Sequence, residues 1–179
     1  MTTHVYIGLY KNTPHRKYAG IWHWNITVAA SLTDRADVYS VVEDENETWQ
    51  TAHRTRADNS GVYLLKSNNL YALVKLPSLT VAPEEIDEFL QRQSPLQGTT
   101  PIVTGRGEWS CAQWVIRALQ DMDSKGWFSE TPTKLADRTA FYEYVRTSKG
   151  AMCEMALDNG VTWEDHVGVL VNGVRVLRL

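Results

Sequence analysis

Gly105-Arg106-Gly107-Glu108-Trp109-Ser110-Cys111-Ala112-Gln113-Trp114-Val115 is the stretch from which the fold is read. Its two glycines make a turn. Ser110 is placed to cap a helix, its hydroxyl accepting one of the orphan backbone N–H groups. Trp114, Val115, Ala118 and Leu119 then recur at three- and four-residue spacing, the buried stripe of a helix expected to end before Gly126. Cys111 falls in the first turn, where unpaired amides and the helix dipole favour a thiolate over a thiol. A cysteine so placed is either a nucleophile or a small core residue, and free cysteine is among the most often buried residue types.

A helix with one apolar stripe needs a surface to cover, and the upstream sequence offers strands. From Ile21 the chain alternates: Ile21, His23, Asn25 and Thr27 fall on one side, Trp22, Trp24, Ile26 and Val28 on the other. The polar side carries an imidazole within an otherwise hydrophobic segment. Ala36 to Val42 is the expected antiparallel partner, and Val5 to Leu9 reads as an edge strand. Glu43 to Ser60 is polar and is expected to be an exposed loop. Val62–Leu65 and Leu70–Leu76 have the pattern of a hairpin, and Pro83 opens a helix with Ile86, Phe89 and Leu90 on its apolar side. Lys134 to Val145 and a segment from Met152 towards Asn159 are expected helices. His166–Val171 and Val174–Leu179 flank Asn172-Gly173, a strong hairpin signal. The fold class expected is α+β: a mostly antiparallel sheet with the cysteine-bearing helix packed on it.

Composition bounds the rest. The 179 residues suit one domain, taken as 1–179. A formal charge of −3 without a basic block argues against a nucleic-acid surface. No run approaches a membrane span and the first residues do not read as a signal peptide, so a soluble cytoplasmic protein is expected. The 2 cysteines, Cys111 and Cys153, make no disulfide framework, and no metal or other cofactor is implied. Cys153 reads as a buried helix residue, and Trp22, Trp24 and Trp114 as core. His4 and His15 are expected in solvent. Glu43-Asp44-Glu45 is expected at the surface, with at most weak affinity for a divalent cation.

Thiol catalysis needs an activated cysteine, an imidazole within hydrogen-bond reach and usually a group that orients the imidazole. His23 precedes Cys111 in the chain and His166 follows it. His23 is favoured, because a polar side chain in mid-strand needs a cleft or hydrogen bonds. Behind Glu164-Asp165, His166 needs no such explanation. Asp37 and Tyr39 on the partner strand, Asn25 on the face of His23, and His53 are the candidate orienting groups, although His53 in a loop is expected to be solvated. For an oxyanion the backbone N–H of Cys111 is the better donor, Gln113 the weaker.

Both orders resemble the papain-like superfamily of small thiol enzymes. His23-Trp24 followed by Cys111-Ala112-Gln113-Trp114-Val115 resembles its circularly permuted branch, which includes lecithin-retinol-acyltransferase-like proteins and deubiquitinase-like and deSUMOylase-like peptidases. There a His-Trp or His-Tyr strand precedes a helix opening with cysteine, and a second histidine after the first suggests His53. His166-Val167-Gly168-Val169 resembles the histidine strand of the bacterial cell-wall peptidases, which have the opposite order. Small uncharacterised fungal proteins with a His-Trp strand and a Cys-x-x-Trp helix are also similar. The resemblance implies a thiol-dependent hydrolase, acyltransferase or cyclase acting on an amide, an ester or another small metabolite. The other reading is a non-catalytic papain-like domain that binds a ligand or protein partner, with Cys111 structural. Oligomeric state is not written in these residues.

Overall fold

Alternation along the first two strands divides the molecule into two sides. In the computed structural model, which describes residues 3–10, 22–67, 70–147, 168–171 and 174–178, β1 (His4–Tyr10) and β2 (His23–Ala29) pair antiparallel. Val5, Ile7 and Leu9 of β1 and Trp24, Ile26 and Val28 of β2 share one core. Tyr6, with Ala29, belongs to a second core on the opposite face. On that second face Asn25 and Thr27 are 2% and 0% exposed, and the Thr27 hydroxyl donates to Asn25 Oδ1 at 2.9 Å. The polar side of β2 is therefore buried and internally bonded, which removes the desolvation cost of leaving those groups unpaired.

The remaining strands are β3 (Arg35–Tyr39), β4 (Val41–Glu43), β5 (Trp49–Thr51), β6 (Val62–Tyr63), β7 (Leu70–Lys75), β8 (Gly168–Val171) and β9 (Val174–Arg178). Together with β1 and β2, five of these form a seven-stranded sheet in the order β6-β3-β2-β1-β7-β9-β8, and β4 pairs with β5 separately. Pairing is antiparallel except between β7 and β9, which run parallel. The architecture is α+β with a mostly antiparallel sheet.

Several sequence expectations change. Val5–Leu9 belongs to the middle strand of the seven and not to an edge, since β2 and β7 flank it on both sides. Ala36–Val42 is broken at Ser40, and its two halves enter different sheets. Val62–Leu65 and Leu70–Leu76 do not form a hairpin: β6 pairs with β3 and β7 with β1. Local turn chemistry suggested that hairpin, but burial of Leu70, Ala72, Leu73 and Val74 is satisfied by pairing with the apolar β1. Within Glu43–Ser60, β5 pairs with β4. Residues 52–54 then run antiparallel to 38–40, with Val38 and Arg54 exchanging N–H···O bonds of 2.8 Å each. The described parts of the closing hairpin pair as expected, Gly168 opposite Leu177 through Val171 opposite Val174.

Three helices of the described residues cover the Trp24 side, the third running through 138–147. In α1 (Pro83–Gln91), Pro83 opens the first turn, where its missing N–H costs nothing, and Glu84 and Glu85 complement the dipole. Ile86 and Leu90 are buried, while Phe89 packs partly buried at the core's edge. In α2 (Cys111–Ser124), Trp114, Val115, Ala118, Leu119 and Met122 pack into the core that holds Trp24, Ile26 and Val28. Each fully buried aliphatic side chain of this kind stabilises the fold by about 1.5–3 kcal/mol. The helix stops at Lys125, and Gly126 follows at φ +70, a left-handed position that suits glycine. The later helix runs through 138–147, so Leu135 lies in the turn before it. His15, Cys153, His166 and the expected helix from Met152 lie outside the described residues.

The two faces meet their tightest constraint at Gly8, opposite Asn25 in register. A Cβ there would lie 2.3 Å from Asn25 Oδ1 and 3.0 Å from Thr27 Oγ1. Gly8→Ala is expected to destabilise the protein by about 1–3 kcal/mol in chemical denaturation, with part of the loss recovered in Gly8→Ala/Asn25→Ala. An unchanged midpoint for the single variant would contradict this packing.

Candidate functional site

The site is built where α2 begins. Ser110 has extended backbone angles, and its hydroxyl accepts from the Gln113 N–H at 3.5 Å, a long version of the expected cap. The approach to it is fixed by a turn in which the Arg106 N–H donates to the Val103 carbonyl at 3.0 Å. Gly105 lies at φ +79, where a Cβ would be strained. Gln113 locks this loop to the helix. It is 0% exposed; its Oε1 accepts from the Val103 N–H at 2.9 Å and its amide donates to the Glu108 carbonyl. Its buried side chain thus holds the loop, a role other than the oxyanion donor expected. A mid-loop polar partner ten residues away leaves no periodic trace in sequence.

Cys111, half-buried and free of disulfide bonding, is the first residue of α2. The backbone N–H of Trp24 donates to its Sγ at 3.4 Å. Pairing of β2 with β3 stops at Ile26 opposite Tyr39, so the sulfur is the acceptor for an N–H beyond the last pair. This contact also places His23. Its Cα is two bonds from the Trp24 nitrogen, a span of about 2.4 Å, so it lies within about 6 Å of the sulfur. By alternation its side chain shares the parity of Asn25 and Thr27, while Trp24 faces the helix. His23 is the first residue of β2, which corrects the mid-strand position expected from the sequence.

Asp37 lies elsewhere. It pairs with Val28, five positions along β2 from His23, and cross-strand partners share a face, so it has the Trp24 parity. Its carboxylate accepts from the Arg56 backbone N–H at 2.6 Å and from Nε and Nη2 at 3.0 and 2.7 Å. Asp37, the expected candidate orienting group for His23, anchors the turn after residue 55. Tyr39 is likewise engaged, its hydroxyl donating to Asp87 of α1 at 2.5 Å; burial and that carboxylate push its phenol far above the usual range. Asn25 stays on the His23 face, bonded to Thr27.

His53 is not simply solvated. It sits opposite Tyr39, with ring centroids 5.4 Å apart, and 6.1 Å from Trp114 of α2. Its Nδ1 accepts from the Ser40 N–H at 3.3 Å, so the neutral ring carries its proton on Nε2, which is buried without an acceptor. Burial lowers its pKa, with Asp87 opposing. His4 is also only partly exposed, and burial beside Lys75 lowers its pKa. Asp44, within the acidic run, accepts from the Asn46 and Thr48 N–H groups and from Gln50, shaping the β4–β5 turn.

Residues that sequence reasoning missed complete the surroundings of Cys111. The Tyr142 ring stacks on Trp24, centroids 5.5 Å apart and planes 8° from parallel, and the Arg106 guanidinium lies 4.6 Å above Tyr142. Burial raises the Tyr142 pKa; Arg106 opposes this, and charge on Cys111 adds to it. The only hint in sequence was the surplus of aromatic residues, which does not say which of them meet. Among the described residues no three His, Cys, Asp or Glu side chains group as a metal site, and no helix is long and apolar enough to cross a membrane. In comparisons with protein-family models, curated proteins and solved structures, nothing matched this chain.

The neutral state of His53 gives a pH prediction. A depressed histidine pKa means that its contribution is complete above about 6.5 and is lost as pH falls below that value, because the unfolded chain takes up the proton first. Urea midpoints measured between about pH 7.5 and pH 5 should fall with acidification. His53→Asn, which keeps an acceptor for the Ser40 N–H, should flatten that slope, leaving the smaller share of His4. Equal slopes in both proteins would contradict the buried neutral ring.

Proposed function

We propose that the protein is a cysteine-nucleophile enzyme acting on an acyl or related electrophilic carbon. Cys111 is the nucleophile and His23 the proton acceptor. The observation that carries this reading is the 3.4 Å contact from the Trp24 N–H to Cys111 Sγ, which joins the start of the helix to the end of the histidine-bearing strand. A hydrogen bond to sulfur and the positive end of α2 both favour the thiolate. The order of the two elements, His-Trp strand before Cys helix, is that of the permuted papain-like arrangement, and a reducing cytoplasmic setting would keep the thiol free.

In the reaction His23 takes the thiol proton as sulfur bonds to the carbonyl carbon, and the carbonyl π electrons move to oxygen. The N–H of Cys111 is the donor for that oxyanion, since the first helical amides have no acceptor within the helix. When the tetrahedral species collapses, the bond to the leaving group breaks and that group receives the proton from His23. Water then releases the acid from the thioester, or a second nucleophile takes the acyl group. The surplus of aromatic residues, 7 Trp and 8 Tyr, favours a small substrate with apolar surface over a protein tail.

Incubation with p-nitrophenyl acetate followed by intact-mass and peptide mapping tests this assignment. One acetyl group should reside on Cys111. His23→Ala should slow acylation by about 10²–10⁴-fold, whereas His166→Ala should leave it nearly unchanged. An unlabelled Cys111 together with p-nitrophenol release no faster than in buffer would replace the enzyme reading with that of a binding domain whose cysteine is structural. Loss of rate only in His166→Ala would move the base to the closing hairpin.

A further inference from the structure

The arginines around α2 differ in what they bind. Arg117 donates to the carbonyls of Ser94 and Leu96, Arg138 to the Gln120 side chain and the Gln113 carbonyl, and Arg146 pairs with Glu143 at 2.6 Å. Arg106 is different. Among the described residues its guanidinium makes no hydrogen bond or ion pair, and it lies over the face of Tyr142, 4.6 Å from the ring centroid. A guanidinium held over a ring face uses none of its five N–H donors there, so they remain able to bind a planar oxyanion. The group is half-buried, so less water competes for those donors than at a fully exposed arginine.

The stack leads to the sulfur. Arg106 lies on Tyr142, Tyr142 on Trp24, and the Trp24 N–H on Cys111 Sγ. The nearby carboxylate of Glu143 is held by Arg146 and does not neutralise Arg106. We propose that Arg106 receives a carboxylate of the substrate, so that the acyl compounds attacked at Cys111 carry an anionic group and Arg106 is a specificity-determining residue. This rests on the reading of Cys111 as nucleophile and adds to it the charge class of the substrate.

The test compares paired reagents that differ only in charge: iodoacetate with iodoacetamide, and N-carboxyethyl maleimide with its neutral amide. For each pair the ratio of Cys111 modification rates, carboxylate over amide, is measured against the same ratio for glutathione. Changes in thiolate population act on both members of a pair and cancel in the ratio. In the wild type at least one pair should exceed the glutathione ratio by about fivefold, the worth of a partly exposed charge-assisted contact. Arg106→Gln should bring the ratio down to the glutathione value while the amide reagents keep their rates. Arg106→Lys, which retains the charge if the glutamine variant folds poorly, should keep most of the excess. Inorganic phosphate, added as a competitor, should lower the excess less than acetate does; stronger competition by phosphate would overturn the choice of a carboxylate. Equal ratios in wild type and Arg106→Gln would overturn the proposal. Slow modification by the amide reagents would instead count against the nucleophile reading, and the ratio would still report on Arg106.

Discussion

Seating α2 on the sheet brings its first residue against the end of β2, and the contact made there is a hydrogen bond between a backbone amide and a sulfur. β3 pairs with β2 only as far as Ile26, and the Ser40 N–H that follows turns to His53. An N–H left buried without a partner costs about 1–3 kcal/mol. The Cys111 sulfur, 3.4 Å from the Trp24 nitrogen, supplies the acceptor. The interaction that closes the sheet's ragged edge is therefore also one that favours negative charge on sulfur.

The rest of the helix start is arranged to hold that contact in place. Gln113 ties the Val103 N–H and the Glu108 carbonyl to the first turn. Arg117 and the indole N–H groups of Trp109 and Trp114 gather the carbonyls of 94–96 against the same helix. The Ser94 carbonyl accepts from both Trp114 and Arg117, so these bonds share partners and act as a network. A helix fastened at several points along its N-terminal half cannot slide without breaking them together, which fixes the position of Cys111 relative to β2.

The parts of this arrangement that were legible in the sequence are those with a period. The stripe Trp114, Val115, Ala118 and Leu119 and the cap Ser110 gave α2, with its end before Gly126. Strict alternation gave β2 and the division of its side chains between two faces. Turn residues gave β8 and β9. Pairing between strands was not legible where two apolar partners competed, as for β7, which joined β1 instead of β6. Nor were long-range polar assignments: Asp37 met Arg56, His53 met Tyr39 and Trp114, and Gln113 met the loop before it. Each of these depends on which loop folds back on which strand, and no local spacing encodes that. Cys111 was legible as the start of a helix. His23, expected in mid-strand, is the first residue of β2, so the mid-strand ground for favouring it is corrected. The contact of Cys111 with the start of β2 rests on the tertiary seating of α2.

The most direct measurement of the central claim is the pH dependence of Cys111 alkylation by iodoacetamide, followed by mass spectrometry at that single peptide. The helix start and the Trp24 N–H both favour the thiolate, so the rate should rise to its plateau with a midpoint below about 8.5, the value of an unperturbed thiol. A midpoint at or above that value would contradict the account, leaving Cys111 as an acceptor for the Trp24 amide and nothing more.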